Sequence, residues 1–264
     1  MELSLDTLDL TVDDTGLARL VINRPDAANA LDRQMAADFR TVAIALDSTR
    51  AARAVLVTAN GPIFCGGGDL RGFAESDDTY SLVSEMTVDF HAAVARLSKL
   101  DAPVVAAVAG AAGGAGMSLV AAFDLVVAGE SAKFTMGYTK AGLVPDGSSS
   151  FFLARCVGYK RALDLALTNR VLSAAEAEEW GLVTRVVPDG DVDAEAEALA
   201  TKLAAGPTRT FGLTKRLILA GANSALEEAM ERESMSIAAA TRTADSAEGI
   251  DAFLNKRRPD FRGE

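Results

Sequence analysis

Cysteine, histidine and tryptophan are scarce in this sequence, and each shortage excludes a class of protein. The 264 residues include two cysteines, one histidine and one tryptophan. Cys65 and Cys156 are too few and too far apart for a disulfide framework or a metal knuckle. We therefore expect two free thiols and no metal site. The first ten residues, MELSLDTLDL, lack the basic start and apolar core of a signal peptide, so we expect a cytoplasmic protein.

Positive charge is also in short supply. The sequence has 26 basic and 37 acidic residues, a formal net charge of −11. This balance disfavours binding to nucleic acid or to an anionic membrane surface, and it leaves small molecules as the expected partners. The uncharged stretch 102–123 is long enough to cross a membrane, but it consists mostly of alanine and glycine. No membrane span is predicted.

Strand and helix patterns alternate along most of the chain. Two partly alternating runs around Asp13-Asp14-Thr15-Gly16 predict a hairpin, and apolar residues at helical spacing follow Asn29. Further on, the pattern predicts strands at 53–58, 103–109, 124–128 and 182–187, and helices at 80–100, 114–123 and after the capping box Ser173-Ala-Ala-Glu176. This alternation indicates an α/β architecture.

The last part of the chain has a different pattern of apolar residues. From residue 193 onward the pattern is helical only, with segments near 193–205, 208–220 and 225–242. We therefore predict a core over 1–190 and a helical region over 191–264.

Two glycine clusters follow predicted strands. The first is FCGGGDL at 64–70, and the second is GAAGGAGMSL at 110–119. Neither contains the dinucleotide-binding pattern G-x-G-x-x-G or a phosphate-binding Gly-Lys-Ser/Thr. A glycine turn after a strand still exposes backbone N–H groups, and two such turns can converge on one oxygen. Paired backbone donors of this kind stabilise an enolate or a tetrahedral oxyanion.

Six segments, in this order along the chain, resemble the crotonase superfamily, the enoyl-CoA hydratase/isomerase family. They are NRPDAANAL at 23–31, FCGGGDL at 64–70, PVVAAVAGAAGGAGMSL at 103–119, GLVPDG at 142–147, LTNRVLSAAEAEEWGLV at 167–183 and FLNKRRPDF at 253–261. The resemblance implies a spiral of β-β-α units and a C-terminal helical trimerisation region. It also implies a homotrimer or a dimer of trimers that acts on acyl-CoA thioesters in fatty or aromatic acid metabolism. No cofactor is implied beyond the CoA carried by the substrate.

The resemblance also assigns backbone and binding positions. It places the oxyanion-hole amides on Gly66 and Ala115. It places the CoA near Arg24, Ala28 and the loop from Gly66 to Leu70, which includes Gly68 and Asp69. Two of these side chains each have two interpretations. Arg24 could reach a phosphate or be solvated, and Asp69 could contact the adenine side of CoA or cap a turn.

The catalytic positions depart from the hydratases of this family, which carry two glutamates. Ser118 and Tyr138 stand at those positions, so direct hydration by the usual mechanism is not expected. Asp146 remains, at a position where epoxyphenylacetyl-CoA and dienoyl-CoA isomerases keep an acid/base aspartate. One base and an oxyanion hole suffice to move a double bond or open a strained ring beside a thioester. We therefore favour an acyl-CoA isomerase, with Asp146, Gly66, Ala115 and Tyr138 in its site.

Three alternatives stay open. The 4-chlorobenzoyl-CoA dehalogenases that the chain also resembles keep an aspartate nucleophile at this position and a water-activating histidine, which here would be His91. A lone histidine in a helix is otherwise most often a packed or half-exposed residue. An enoyl-CoA hydratase and a non-catalytic acyl-CoA binder are the remaining possibilities.

Overall fold

Eleven strands form two sheets in the computed structural model, which describes residues 1–264. The strands are β1 Glu2–Ser4, β2 Leu8–Val12, β3 Leu17–Ile22, β4 Ala54–Ala59, β5 Ile63–Cys65, β6 Val104–Val108, β7 Ala111–Gly113, β8 Leu125–Gly129, β9 Lys133–Thr135, β10 Leu172–Ser173 and β11 Arg185–Val187. The large sheet has the order β1-β2-β3-β4-β6-β8-β11, and the small sheet has the order β10-β9-β7-β5.

Eleven helices connect and cover these sheets. They are α1 Arg33–Thr49, α2 Leu70–Glu75, α3 Thr79–Leu97, α4 Ala115–Ala122, α5 Ser149–Val157, α6 Tyr159–Thr168, α7 Ala174–Glu179, α8 Val192–Ala204, α9 Thr208–Gly221, α10 Leu226–Ala240 and α11 Ala244–Leu254.

The central part of the chain repeats one unit. β4, β6 and β8 are parallel neighbours in the large sheet, and the strand that follows each of them, β5, β7 or β9, belongs to the small sheet. A helix then follows each pair of strands. This is the predicted spiral of β-β-α units, and the prediction of an α/β fold is confirmed.

Burial explains why the apolar runs form these elements. All five residues of β6 are buried, as expected for a parallel strand covered on both faces. Helix α1 buries an apolar stripe that includes Phe39, whose ring meets the edge of Phe90 of α3 at a centroid distance of 6.0 Å. This contact fixes α3, the helix that carries His91, over the sheet.

The stretch 102–123 forms β6, β7 and α4. No helix of the structure combines the length and apolar character needed to span a membrane. All eight residues of α4 are buried. Because the helix contacts other protein on every side, its small alanine and glycine residues suit close packing.

Most of the elements predicted from local sequence signals form, while several boundaries differ and the strands of the small sheet were not predicted. The hairpin β2–β3 and the capping box that begins α7 are confirmed, with the hydroxyl of Ser173 accepting from the Glu176 amide. The predicted strand 182–187 starts only at Arg185. Helices α5 and α6 are separated by Gly158 at φ +86°, a positive value that only glycine adopts readily.

The packed core extends beyond residue 190, where the helical region was predicted to begin. Helix α8 buries Val192 and three alanines against residues of the large sheet such as Val105, so the core continues to Ala204. From α9 onward, large apolar side chains are exposed, and they include Ile218, Leu226, Met230, Met235, Ile237, Ile250, Phe253 and Leu254.

Candidate active site

A cavity of about 330 Å³ opens where both glycine clusters meet helix α3. Most of its lining is apolar, with polar groups from only a few side chains and from the glycine backbone. The lining comprises Leu31, Gly66, Gly67, Gly68, Leu70, Phe73, Val83, Met86, Thr87, Phe90, Gly113, Gly114, Ala115, Thr135, Gly137, Tyr138, Ala141, Leu143, Val144 and Asp146. An apolar cleft with a few convergent polar groups is the usual form of a small-molecule site.

The glycines allow the two clusters to approach backbone to backbone. A Cβ atom on Gly113 would lie 3.1 Å from the carbonyl oxygen of Gly66, and one on Gly116 would overlap the backbone of Cys65. Gly67 has φ +113°, which strongly favours glycine. Each glycine in a helix costs about 1 kcal/mol relative to alanine, and close packing explains why this cost is accepted.

The structure corrects one predicted oxyanion donor. The amide of Gly66 donates to the carbonyl of Ala28 at 2.9 Å, so this N–H is already satisfied and cannot also bind a substrate oxygen. The amides of Gly68 and Ala115 have no acceptor within the chain. A parallel bridge to Leu31 uses the groups on either side of Gly68 and leaves its own N–H unpaired.

The residues that carry these two free amides, Gly68 and Ala115, both line the cavity. Ala115 is the first residue of α4, where an N–H lacks an intrahelical partner and the helix dipole favours negative charge. The amide nitrogen of Gly68 lies 4.0 Å from the position that a Cβ of Gly114 would occupy. The backbone therefore offers two neighbouring donors to an oxygen in the cavity.

Arg24 and Ala28 are two of the predicted CoA-binding residues, and the structure places both next to the first glycine cluster. Arg24 forms ion pairs with Asp69 at 2.8 Å and with Asp32 at 3.2 Å, and it donates to the carbonyl of Ala30. Its guanidinium is thus held by contacts within the chain while its side chain stays 26% exposed, and a position for Arg24 near the CoA stays a prediction. Ala28 adopts a left-handed conformation at φ 55° and abuts the Gly66 loop.

Asp69 begins helix α2 as its N-cap. Its carboxylate accepts from the Gly72 amide at 3.1 Å and pairs with Arg24. Burial raises the pKa of Asp69, but the hydrogen bonds from Gly72 and Arg24 outweigh it and hold the pKa below its usual value. The structure thus gives Asp69 the capping role that the sequence left open. Leu70, next in the chain, lines the cavity and is half exposed.

A tight turn presents Asp146 to the cavity. Gly147 follows at φ +59°, and a Cβ there would lie 2.7 Å from the ring of Phe90 and 3.1 Å from Cβ of Ser118. Ser148 also has a positive φ, of 74°. Residue 147 must therefore be glycine for α3, α4 and this turn to meet, and their meeting brings His91, Ser118 and Asp146 together.

One oxygen of Asp146 is held by Tyr138. The phenol donates to Oδ1 of Asp146 at 2.7 Å and lies 2.9 Å from the hydroxyl of Ser118. Ser118 is fully buried and also lies 2.9 Å from the backbone carbonyl of Asp146. Burial, and then the charge of Asp146, raise the pKa of Tyr138 far above its ordinary value. The phenol therefore keeps its proton and acts as a donor.

His91 approaches the other oxygen. Its Nε2 lies 3.3 Å from Oδ2 of Asp146 and accepts from the Gly147 amide at 3.2 Å. The side chain of His91 is 48% exposed and that of Asp146 is 31% exposed. The lone histidine thus contacts the candidate acid from outside the cavity lining.

The remaining titratable groups do not extend this site. Burial raises the pKa of the Cys65 thiol to about 11, which makes it a poor nucleophile. No group of three or more His, Cys, Asp and Glu side chains is placed to hold a metal ion.

Comparison with known proteins decides the family. The model of the enoyl-CoA hydratase/isomerase family matches residues 13–264. The chain belongs to the enoyl-CoA hydratase/isomerase family. It therefore belongs among enzymes of acyl-CoA metabolism.

Relatives within this family carry different activities. The chain is 37% identical to the 1,2-epoxyphenylacetyl-CoA isomerase of Escherichia coli K12, covering 94% of this chain and 96% of that protein. It is 33% identical to a 4-chlorobenzoyl coenzyme A dehalogenase of an Arthrobacter species, over 91% and 88%. The crystal structure of an enoyl-CoA hydratase from Mycobacterium smegmatis superimposes with a TM-score of 0.90 at 32% identity, over 97% and 98%. Family membership therefore leaves the reaction open.

Three of the side chains around Asp146 were identifiable from the sequence, although their contacts with one another were not. Tyr138, His91 and Ser118 all meet within hydrogen-bond reach of that residue. The pairing of Arg24 with two carboxylates and the free amide of Gly68 were missed. The only signal for the latter was that Gly68 is the last of three consecutive glycines.

Proposed function

We propose that this chain isomerises an acyl-CoA thioester by moving a proton with Asp146. The proposal is supported above all by the placement of a single carboxylate in an apolar cavity that also exposes the unpaired amides of Gly68 and Ala115. Removing a proton next to a thioester places negative charge on the thioester oxygen. Two backbone donors preorganised for that oxygen contribute about 3 kcal/mol each to the stability of the enolate.

The side chains at the two departing positions favour isomerisation over hydration. Ser118 is buried, and Tyr138 keeps its proton, so neither activates a water molecule as a base. Tyr138 instead donates to Oδ1 and orients the carboxylate of Asp146. In the proposed reaction Asp146 removes a proton from the carbon beside the thioester and returns it to a carbon further along the acyl chain.

The CoA part of the substrate would lie along Ala28 and the loop from Gly66 to Leu70. This placement rests on the exposure of Leu70 at the cavity and on the contact between Ala28 and the Gly66 amide. The proposed reaction is redox-neutral and uses no cofactor apart from the CoA of the substrate.

The test is turnover of a β,γ-unsaturated acyl-CoA and of an aryl epoxide acyl-CoA, followed by chromatography and mass spectrometry. We expect one of these substrates to be isomerised, and Asp146→Asn to lower kcat by 10²–10⁴-fold, the range for loss of a general base. Asp47→Asn is the matched control, since Asp47 is an exposed aspartate on α1 that makes no hydrogen bond with its side chain. Full activity of Asp146→Asn, or hydration without isomerisation, would contradict the proposal.

A second candidate function is supported by the contact of His91 with Asp146. A carboxylate nucleophile needs a base to hydrolyse its aryl ester, and His91 Nε2 at 3.3 Å is the group placed beside it. The 4-chlorobenzoyl coenzyme A dehalogenase relative makes this reaction a specific alternative. Chloride release from 4-chlorobenzoyl-CoA, with loss of release in Asp146→Asn, would favour it over isomerisation.

We also propose that the helices from α9 onward form a trimer, or a dimer of trimers. Helix α10 has no buried residue, and α10 and α11 expose Leu226, Met230, Met235, Ile237, Ile250, Phe253 and Leu254. An apolar surface of this kind is typical of a contact between protein chains. Light scattering after gel filtration tests this, and a monomer at micromolar concentration would contradict it.

A further inference from the structure

The contact between His91 and Asp146 has no proton between its two polar atoms in the tautomer that the Gly147 amide indicates. Nε2 of His91 accepts a hydrogen bond from the Gly147 amide at 3.2 Å, which corresponds to the tautomer with its proton on Nδ1. An ionised carboxylate has no proton to donate either. In this tautomer the 3.3 Å contact between Nε2 and Oδ2 joins two acceptors, whereas a proton on Nε2 makes the imidazole a donor to Oδ2. A proton added to Nε2 converts this contact into a hydrogen bond to Oδ2 and ends the hydrogen bond from the Gly147 amide, because the imidazole nitrogen has a single lone pair.

The proposed reaction supplies that proton. Tyr138 donates to Oδ1 of Asp146 and retains its own hydrogen because of its burial and the neighbouring negative charge. Oδ2 is consequently the oxygen left to receive the proton that leaves the substrate. It is also the oxygen that faces His91.

The side chain of His91 is more accessible to water than that of Asp146. Its side chain is 48% exposed, whereas the acyl cavity is lined mainly by apolar residues such as Phe73, Met86 and Phe90. The ring of His91 is tilted relative to that of Phe90, with a centroid distance of 6.3 Å. Phe90 is the residue of this pair that lies on the side of α3 packed on the core. A proton on the imidazole can therefore exchange with bulk solvent.

We propose that His91 takes the substrate-derived proton from Asp146 during turnover and exchanges it with water before it is returned. This inference rests on the proposed isomerase function. The C–H bond beside the thioester breaks, its electron pair forms the enolate, and the proton passes to Oδ2 and then to Nε2. The imidazolium exchanges its proton with water and returns one through Oδ2 to the acyl chain as the new C–H bond forms. His91 thus acts as a positioning and proton-exchange residue that contacts Asp146, with no direct contact to the substrate.

The experiment is isomerisation of a β,γ-unsaturated acyl-CoA in D₂O, with the product analysed by mass spectrometry and NMR at low conversion. The wild-type protein should place deuterium on the newly protonated carbon in most product molecules. His91→Gln keeps an acceptor for the Gly147 amide and a donor for Asp146, but the amide does not accept a proton. We expect it to reduce deuterium incorporation at least threefold per turnover while isomerisation continues.

The control is Arg96→Gln, an exposed substitution on the same helix, which should incorporate deuterium as the wild type does. Isomerisation by the wild type without deuterium in the product would overturn the inference and leave the proposed function intact. Equal incorporation by wild type and His91→Gln would overturn it as well. Absence of isomerisation with every substrate would instead refute the proposed function.

Discussion

The two walls of the cavity are built from different parts of the polypeptide. One wall is main chain, since the glycine clusters contribute the free amides of Gly68 and Ala115 and almost no side-chain atoms. The other wall is side chain, where Asp146 and Tyr138 line the cavity while His91 and Ser118 contact Asp146 from outside the lining. The backbone wall depends on close packing and helps to hold the fold together. We expect the side-chain wall to tolerate changes that leave this packing in place.

This difference separates two kinds of variant. Substitutions in the backbone wall should affect stability, unless they remove only an N–H. Substitutions in the side-chain wall should affect turnover at nearly constant stability. Four predictions test this separation, in order of decreasing expected effect.

Ala115→Pro removes one oxyanion donor from the backbone wall. Proline is tolerated at the first position of a helix, which is where Ala115 lies. We expect kcat to fall by about 10²–10³-fold, the usual cost of losing one such donor. Steady-state kinetics measures the loss, and circular dichroism with thermal unfolding checks that the fold is intact. Unchanged kcat in a folded variant would show that this amide binds no reacting oxygen.

Gly116→Ala should instead destabilise the protein. The added Cβ would overlap the carbonyl of Cys65 and lie 2.8 Å from its Cβ, so β5 and α4 would have to move apart. Overpacking of this kind costs about 3 kcal/mol in the free energy of unfolding. Urea unfolding measures it, with Gly190→Ala as the control because nothing lies within 4 Å of a Cβ there. Equal stability of the two variants would contradict the close-packing explanation.

The buried thiol of Cys65 makes the backbone wall sensitive to alkaline pH. Burial raises its pKa from 9.0 to about 11. A raised folded-state pKa contributes stability that is fully present below pH 9 and is lost as the pH rises towards 11, about 2 to 3 kcal/mol in all. We expect Cys65→Ala to lose less stability than the wild type between pH 9 and 11. Identical alkaline profiles in urea unfolding would argue against a buried, protonated thiol.

Tyr138→Phe should affect the side-chain wall alone. The variant loses the hydrogen bond to Oδ1 of Asp146 and the contact with Ser118, but it keeps the ring that packs against the core. We expect kcat to fall about tenfold, equivalent to 1.4 kcal/mol, with little change in KM or melting temperature. A rise in KM at constant kcat would mean that Tyr138 binds the acyl group and does not orient the carboxylate.

Much of the fold was predictable because its signals are local. The turn Asp13-Asp14-Thr15-Gly16 and the box Ser173-Ala-Ala-Glu176 each act within a few residues, and both form as expected. The split between α5 and α6 at Gly158 was not predicted, since a single glycine within a helical pattern does not by itself reveal a positive φ.

The site was predictable in its components and less so in its contacts. Three consecutive glycines offer three chemically identical amides, and long-range contacts decide their roles: the Gly66 amide donates to Ala28, while the bridge to Leu31 leaves the Gly68 amide unpaired. In the same way, Arg24 was assigned to solvent or phosphate because its partner Asp69 lies 45 residues away in sequence. Long-range pairing of this kind has no local signature in a single sequence.

The position of Ala115 at the start of the buried helix α4 has a consequence for how such a protein can evolve. The first N–H of this helix belongs to the peptide unit common to nearly all amino acids, so most replacements that fit at that residue would preserve the proposed hydrogen bond to a thioester carbonyl. The proposed reaction depends on a few side chains around Asp146, and these can be replaced. A scaffold arranged in this way can retain its class of ligand while exchanging one chemistry for another.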